Sequence, residues 1–453
     1  MGRLFGTDGV RGEAGSDLTA RLALDLAVAA AQVLGPAGPV ATHQRPVAVV
    51  GRDPRTSGEF LEAAVAAGLA SAGVDVLRLG VLPTPGVAYL AKALDADFGV
   101  VLSASHNPAR DNGIKFFARG GRKLPDAVED QIEALLGQPS PPSRHGFGRV
   151  IDAQREQEKY LDHLVASLGS GPVPAQPPLA GLRVVVDCAH GAAYAVAPEA
   201  LRRAGAEVIA IGVEPDGDNI NAGCGSTHLD TVASVVRSQA ADVGIAHDGD
   251  ADRCLAVDAD GQVVDGDQIL AVLATELKQE GRLAGNTVVV TVMSNLGFRL
   301  AMDDAGISVV ETPVGDRYVL EAMLAGPHSL GGEQSGHIIL ADYATTGDGV
   351  LTALHLLAVL ARRGVSLAEA AKVMTRYPQV LINVPGDKER AATSPELAAA
   401  VQEAERALGS SGRILVRPSG TEPIIRVMVE AVDTAEADRI AHQVADTIRR
   451  ALA

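Results

Sequence analysis

Residues 98–117, FGVVLSASHNPARDNGIKFF, place a polar loop at the end of a core strand. Residues 98–102 are a short continuous apolar run, which is typical of a strand covered on both faces. The loop that follows contains Ser105 and His106, and its Asn-Pro step disfavours a helix. A buried strand therefore ends at a hydroxyl group with an imidazole beside it, a combination that suggests chemistry as well as structure.

The same alternation of apolar runs and helix-period segments continues on both sides of this stretch. A helix is predicted at 18–34, and strands are predicted at 47–50 and 74–79. Six more strands are predicted further along the chain, at 183–187, 207–212, 243–247, 287–292, 308–314 and 329–340. Strands that alternate with helices predict α/β domains with mixed or parallel sheets.

The last part of the chain has a different pattern, with strands predicted at 380–384, 414–416 and 424–429 and a closing helix at 435–452. Breaks rich in proline occur at 138–144 and 169–178. We therefore predict three similar α/β domains and a C-terminal α+β domain. Their predicted bounds are 1–150, 151–254, 255–367 and 368–453.

The composition restricts the class of protein. The 453 residues carry a net charge of −17, which argues against nucleic acid or an anionic membrane as the main partner. Cys188, Cys224 and Cys254 are too far apart for a CxxC motif, so we expect reduced thiols. The N-terminus lacks an apolar signal region, and no apolar run approaches the roughly 18 residues of a membrane span. These features predict a cytoplasmic protein.

Three carboxylates, Asp248, Asp250 and Asp252, alternate in the loop DGDADR after a predicted strand. They repel one another unless a cation lies among them, and oxygen ligands suit Mg²⁺ or Mn²⁺ before Ca²⁺. An EF-hand is excluded because Arg253 and Ala259 occupy the positions of its glycine and glutamate. A solvated acidic turn is the alternative, but the position after a buried strand favours a metal.

A second loop, RPSGTEP at residues 417–423, has the chemistry of an anion site. Its Ser-Gly-Thr turn offers hydroxyls and backbone N–H groups, and Arg417 and Arg426 offer the planar fork that suits phosphate. These arginines would offset the negative charge of the whole chain at this point. A plain hairpin loop is the alternative for the turn alone.

Two further loops give weaker signals. GGEQSGH, at 331–337, interrupts a predicted strand, and glycines in a strand mark a bulge or a close approach to a ligand. Its Glu333, Ser335 and His337 can exchange hydrogen bonds with sugar hydroxyls or an amine. FGTDGVRG, at 5–12, contains Arg11, and as an isolated motif it predicts only a strand and a turn.

Three interpretations of Ser105 compete. An esterase elbow needs glycines where Ser103 and Asn107 stand, so that interpretation fails. A serine that only hydrogen-bonds its own turn is plausible in any loop. A nucleophile that carries a phosphoryl group gains support from the predicted metal and anion loops, and the chain has no GxxxxGK[ST] motif for a nucleotide.

The loops SASHNP, DGDADR, GGEQSGH and RPSGTEP, in this order, resemble the α-D-phosphohexomutase superfamily over essentially the whole chain. Within it, FGTDGVRG, Gln334 and TPVGDRYV at 312–319 resemble the members that act on glucosamine phosphates. Members that act on mannose and glucose phosphates tend to have Met at the position of Gln334. The resemblance implies a heart-shaped fold of four domains, three related mixed-sheet α/β domains and a C-terminal α+β domain.

The resemblance also implies a reaction, the interconversion of glucosamine 6-phosphate and glucosamine 1-phosphate for UDP-N-acetylglucosamine and cell-wall precursors. Glucosamine 1,6-bisphosphate would be the intermediate and activator. Ser105 would be the phosphoserine, and Mg²⁺ would be bound by its phosphate together with Asp248, Asp250 and Asp252, beside the electrostatic Arg253. The implied sugar contacts are Glu333, Ser335 and His337, and the implied phosphate contacts are Arg417, Ser419, Gly420, Thr421 and Arg426.

Three residues are candidates for the group that assists the transfer. Lys115 and Arg11 are candidates for acid/base or electrostatic work at the transferred group, and His106 ranks lower because it could simply order the loop.

The rival functions are a mutase of broad sugar use, a phosphoserine-dependent sugar phosphatase, and a non-catalytic sugar-phosphate sensor. The expected partner is a small phosphosugar, with no nucleic acid and no membrane, and a homodimer is one option for the oligomeric state.

Overall fold

The computed structural model describes residues 3–6, 8–35, 45–138, 146–169, 176–387, 390–391, 393–418 and 424–452. The chain divides into two compact units. The first unit contains Met1–Met293 and Ile307–Lys372, and the second contains Ser294–Gly306 and Val373–Ala453. The domain bounds expected from the sequence stay predictions.

Helices form a large part of both units. In chain order they are α1 (Ala20–Leu34), α2 (Thr56–Ser71), α3 (Thr84–Ala93), α4 (Asp126–Ala134), α5 (Gln157–Ala166), α6 (Val196–Arg203), α7 (Leu229–Gln239), α8 (Gly266–Gln279), α9 (Leu296–Asp304), α10 (Asp316–Ala325), α11 (Gly349–Arg363), α12 (Leu367–Ala370), α13 (Pro395–Leu408) and α14 (Thr434–Leu452). Within the described ranges no single helix is long and apolar enough to span a membrane, and one bent pair, Gly349–Arg363 with Leu367–Val373, meets that test by length and composition.

The first sheet is mixed. Its strands are β1 (Val10–Glu13), β2 (Val47–Arg52), β3 (Asp75–Val81), β4 (Phe98–Leu102), β5 (Asp111–Ala118), β6 (Arg122–Lys123) and β7 (Val150–Asp152), in the order β1-β5-β4-β2-β3-β7 with β6 beside β5. β2 is parallel to β3 and β4, and β3 is parallel to β7, whereas β5 is antiparallel to β1, β4 and β6.

β4 is buried at all five residues, as its apolar run predicts. Phe98, Val100 and Leu102 belong to the core that the sheet forms with α1, α2 and α4. Alternate residues of a strand point to opposite faces, and Gly99 on the other face lies against Ala91 of α3. Helices therefore cover both faces of the sheet, which fixes the end of β4 and the loop after it.

The first unit contains two more mixed sheets. One has the order β12-β11-β10-β8-β9, with parallel pairing among β9, β8 and β10 and antiparallel pairing beyond. Its strands are β8 (Arg183–Asp187), β9 (Glu207–Ile211), β10 (Val243–Ala246), β11 (Leu255–Asp258) and β12 (Val263–Val264). The other has the order β14-β13-β15-β16, formed by β13 (Thr287–Thr291), β14 (Ser308–Thr312), β15 (Leu330–Gly332) and β16 (Ile338–Leu340).

The second unit is of the α+β type. Its antiparallel sheet has the order β17-β19-β18, formed by β17 (Gln379–Pro385), β18 (Arg413–Pro418) and β19 (Ile424–Glu430). Helix α9 is part of this unit, because the N–H group of Leu296 donates to Oε2 of the buried Glu430 at 2.9 Å. A carboxylate is favourable at a helix N-terminus, where the backbone N–H groups are unpaired.

Candidate active site

Ser105 lies in the loop after β4 and faces the loop after β10. Its hydroxyl donates to Asp248 Oδ2 at 2.6 Å, and the residue is only 2% exposed. Its backbone φ is 53°, a left-handed conformation that is unfavourable for a residue with a side chain. The fold thus brings together two loops that the sequence separates by more than a hundred residues.

Glycine permits this close approach. An added Cβ at Gly249 would lie 2.5 Å from the carbonyl oxygen of Ser105, which is far inside van der Waals contact. The glycine of DGDADR therefore serves to let the aspartate loop pack on the serine loop.

The three aspartates form a buried carboxylate cluster. One oxygen from each of Asp248, Asp250 and Asp252 lies within 4.8 Å of the others. Oδ1 of Asp250 and Oδ1 of Asp252 are buried and accept no hydrogen bond from the part of the chain that the structure describes. Burial, and then the charges of Asp252 and Asp250, raise the pKa of Asp248 to about 8. A hard cation would satisfy these oxygens and relieve the repulsion, so the donor set fits Mg²⁺.

Thr84, at the start of α3, orients one member of this cluster. Its hydroxyl donates to Asp250 Oδ2 at 2.7 Å, and its N–H group donates to the carbonyl of Asp250 at 3.0 Å. Because Oδ2 of Asp250 is fixed in this way, its Oδ1 remains available to a ligand. Thr84 lies outside the four loop motifs, so no pattern in the sequence marks it.

Lys115 lies on β5 with its amine beside the cluster. Its Nζ is 2.7 Å from Asp8 Oδ2 and 2.9 Å from Asp250 Oδ2. Burial tends to lower the pKa of Lys115, but the carboxylates of Asp250 and Asp8 outweigh it and hold the pKa above its ordinary value. Lys115 is therefore a fixed positive charge at neutral pH. Arg11, on the neighbouring strand β1, also pairs with Asp8.

His106 is close to the serine hydroxyl but carries no charge. Its Nδ1 is 3.3 Å from Ser105 Oγ. Burial, followed by the nearby Arg253 and Arg11, lowers the pKa of His106 to about 4. The imidazole is thus neutral at pH 7, where it can accept a proton but has none to donate as an imidazolium. The guanidinium of Arg253 also lies near the carboxylate cluster, with its Nε 3.9 Å from Asp252 Oδ1.

The GGEQSGH loop joins this cluster through His337. The run at 329–340 is wrong as one interrupted strand, because β15 and β16 pair antiparallel and the loop turns between them. An isolated bridge pairs His337 with Arg253, and His337 Nδ1 lies 3.4 Å from Asp252 Oδ2. Glu333 accepts a hydrogen bond from the N–H group of Gly315 at 3.2 Å. The buried hydroxyl of Ser335 has no hydrogen-bond partner among the described residues.

Of the predicted anion loop at 417–423, the described residues are Arg417 and Pro418, and Arg426 follows the loop on β19. Arg417 and Arg426 lie directly opposite each other on β18 and β19. Burial, and then the charge of Arg426, lower the pKa of Arg417, as expected for two like charges held together. Ser419, Gly420 and Thr421 lie outside the described residues. Within the second unit, two neighbouring guanidinium groups offer the donors that suit a phosphate.

Other polar residues near the serine were missed from the sequence. Asp8 links Lys115, Arg11 and Lys123, and the signal for it was its place in FGTDGVRG. Asp316 pairs with Lys123 and lies 3.6 Å from His337 Nε2. Apart from the Asp8–Arg11 pair, which lies within one motif, these contacts join segments that are distant in the sequence, so no local pattern marks them.

Four family models match the chain in order. They are described as phosphoglucomutase/phosphomannomutase domains, with α/β/α domain I at residues 2–141, domain II at 158–261, domain III at 265–377 and the C-terminal domain at 381–447. The chain belongs to the phosphoglucomutase/phosphomannomutase family. The resemblance inferred from the four loops is confirmed, and with it the mixed-sheet α/β fold and the expectation of an enzyme of the isomerase class.

Curated relatives define the branch of the family. The chain is 66% identical to the phosphoglucosamine mutase of Thermobifida fusca over 451 residues, which cover 99% of this chain and 98% of that one. It is 63% identical to the phosphoglucosamine mutase of Streptomyces griseus over the full length of both. Among solved structures, a phosphoglucomutase/phosphomannomutase family protein of Burkholderia thailandensis matches 99% of this chain and 97% of its own with a TM-score of 0.81, at 24% identity, and has the same fold.

Proposed function

We propose that this enzyme interconverts glucosamine 6-phosphate and glucosamine 1-phosphate through a phosphoserine at position 105 and a glucosamine 1,6-bisphosphate intermediate. The observation that carries the proposal is the 2.6 Å hydrogen bond from the Ser105 hydroxyl to Asp248, inside a carboxylate cluster with orphaned oxygens. The names of the relatives supply the amino sugar. The three cysteines are free and buried, which favours a reducing compartment, the cytoplasm.

The metal has a defined place in this proposal. Asp248, Asp250 and Asp252 would hold Mg²⁺ together with the serine phosphate, and the bound ion would neutralise charge on the transferred group. Phosphoryl transfer depends on positioning and charge neutralisation more than on covalent help from the protein.

The reaction needs two transfers of the same kind. The 1-hydroxyl oxygen of glucosamine 6-phosphate attacks the phosphorus of phosphoserine 105. A bond from phosphorus to O1 forms as the bond to Ser105 Oγ breaks, the sugar hydroxyl loses its proton, and the serine oxygen takes one up. The bisphosphate then turns, its 6-phosphoryl group returns to Ser105 by the reverse exchange, and glucosamine 1-phosphate leaves.

The charged residues divide the remaining work. Lys115 would stabilise the phosphoryl group as a fixed cation, since its raised pKa prevents it from acting as a base at neutral pH. Arg11 and Arg253, which both interact with the charges of Asp250 and Asp252, would add further positive charge. Glu333, Ser335 and His337 would bind the sugar. The phosphate that is not reacting would be bound by Arg417, Ser419, Gly420, Thr421 and Arg426.

Replacement of Lys115 by methionine tests the electrostatic role. The variant keeps the length of the side chain but removes the charge, and we expect kcat to fall by about 100-fold or more. Arginine at the same position would keep the charge and recover part of the activity. A bell-shaped pH profile that loses only its basic limb in the Met variant would instead assign Lys115 as the acid/base group.

The proposed substrate is tested by comparing turnover of three sugars. With Mg²⁺ and catalytic bisphosphate, we expect kcat/KM for glucosamine 6-phosphate to exceed the values for glucose 6-phosphate and mannose 6-phosphate by at least about tenfold. A preference for mannose or glucose would contradict the proposal and indicate a mutase of broad sugar use. Steady release of inorganic phosphate in place of sugar 1-phosphate would indicate a phosphatase.

A further inference from the structure

Arg55 is a fully buried arginine directly beneath the loop that carries Ser105. Its Nε donates to Asp53 Oδ2 at 2.9 Å, and both side chains have no exposed surface. Its terminal nitrogens turn toward the serine loop. Nη2 donates to the carbonyls of Ser105 and Asn107, each at 2.9 Å, and Nη1 donates to the carbonyl of Pro108. The guanidinium thus binds three carbonyls within four residues of one loop.

A second side chain reaches the same carbonyls from another part of the chain. The amide nitrogen of Asn221 donates to the carbonyl of Ser105 at 2.9 Å and to that of Asn107 at 3.1 Å. Asn221 is itself buried and has a left-handed φ of 59°. The carbonyl of Ser105 therefore accepts hydrogen bonds from Arg55, in the loop after β2, and from Asn221, in the loop after β9. These two loops belong to different sheets.

The N–H group of Ser105 is fixed by the same network. It donates to Ser103 Oγ at 2.9 Å, and Ser103 Oγ in turn donates to Asp53 Oδ2 at 2.6 Å. Asp53 consequently connects Ser103 and Arg55. Both backbone polar groups of Ser105 are held by buried side chains, which explains how this residue keeps an unfavourable left-handed backbone.

We propose that Arg55 is a positioning residue for phosphoryl transfer, which holds the serine loop in the conformation that directs the Ser105 oxygen to the aspartate cluster. The inference rests on the proposed function, since it assumes that Ser105 carries the phosphoryl group. An ion pair that served only to stabilise the fold would need Asp53 alone. Among the described residues, every other hydrogen bond of the guanidinium goes to the serine loop. Lysine, a point charge without the planar fork, cannot reproduce that pattern.

The test compares Arg55→Lys, Arg55→Met and Asn221→Gly with the parent enzyme. Glycine at 221 tolerates the left-handed backbone, so that variant removes only the amide. We expect Arg55→Lys to lower kcat by about 100-fold and Asn221→Gly by about tenfold, with KM within about twofold, because a displaced nucleophile costs rate and not substrate affinity. Arg55→Met should be slower than Arg55→Lys. Arg78→Lys, an exposed arginine that pairs with Glu62, is the matched control and should keep the parental kcat.

Thermal midpoints are measured for each variant, and kcat is divided by the folded fraction. The inference is overturned if Arg55→Lys and Asn221→Gly, once corrected in this way, turn over at the parental rate, since the network would then only stabilise the fold. If Arg55→Met does not fold, the Lys and Asn221 variants decide the question. Different results would refute the proposed function itself: the parent enzyme would not convert glucosamine 6-phosphate, or Ser105→Ala would remain active.

Discussion

Ser105→Ala is expected to abolish mutase turnover, with kcat lowered by about 10⁴-fold or more. The alanine side chain has no oxygen to carry the phosphoryl group, and no other described hydroxyl lies in hydrogen-bond contact with Asp248. Intact-protein mass spectrometry after incubation with glucosamine 1,6-bisphosphate should show one added phosphoryl group on the parent and none on the variant. Turnover and mass together link the reaction to this one side chain.

The control for this variant is Ser238→Ala. The hydroxyl of Ser238 donates only to the carbonyl of Val235 on α7, so its loss should leave both turnover and phosphorylation unchanged. Parental turnover by Ser105→Ala would refute the phosphoserine mechanism. Loss of turnover with the mass increase retained would show that the phosphoryl group is on another residue.

Asp248→Asn is expected to abolish activity and, without metal, to stabilise the protein. The amide oxygen can still accept from the Ser105 hydroxyl. Because the pKa of Asp248 is raised to about 8 in the folded parent, folding at neutral pH requires this buried side chain to take up a proton, and the neutral amide avoids that cost. In a chelator, the thermal midpoint of the variant should therefore exceed that of the parent by a few degrees, about what a gain of 1 kcal/mol would produce. Added MgCl₂ should raise the midpoint of the parent by mass action and leave that of the variant unchanged.

Asp260→Asn is the matched control, since Asp260 is exposed and lies outside the carboxylate cluster. It should behave as the parent in both turnover and magnesium stabilisation. A parental rise of the midpoint with MgCl₂ in Asp248→Asn would remove Asp248 from the metal site. A parent that keeps full activity in chelator would contradict the proposed metal requirement itself.

Local patterns predicted the strands that lie in the core. The run at 98–102 has the same bounds in the structure as β4, because five consecutive apolar residues are too few for a typical helix and favour a strand buried on both faces. The run at 329–340 was predicted as one strand and is a hairpin. The turn is formed by residues 333–337, whereas Gly331 and Gly332 lie in β15. Two strands of three residues each are too short to show in the sequence that they pair with each other.

The sequence predicted the motifs of the candidate site but not the side chains that hold these loops in place. The serine, the three aspartates and Lys115 stand in loops with a recognisable chemistry, and the structure brings them together. Arg55 and Asn221 were not predicted, because Ser105, whose carbonyl they bind, is 50 and 116 residues away from them in the sequence. A single arginine or asparagine also forms no recognisable pattern. Side chains that act by holding backbone carbonyls leave no periodicity, charge run or spacing in the sequence.

The second unit is built from two separate lengths of chain, and this affects how the protein is made on the ribosome. Helix α9 is synthesised long before Glu430, whose carboxylate accepts from the N–H group of Leu296, and before Arg413, whose guanidinium donates to the carbonyl of Ser294. Domains generally fold from the N-terminus as they emerge. The segment Ser294–Gly306 therefore remains without these partners until residues 413–430 have left the exit tunnel.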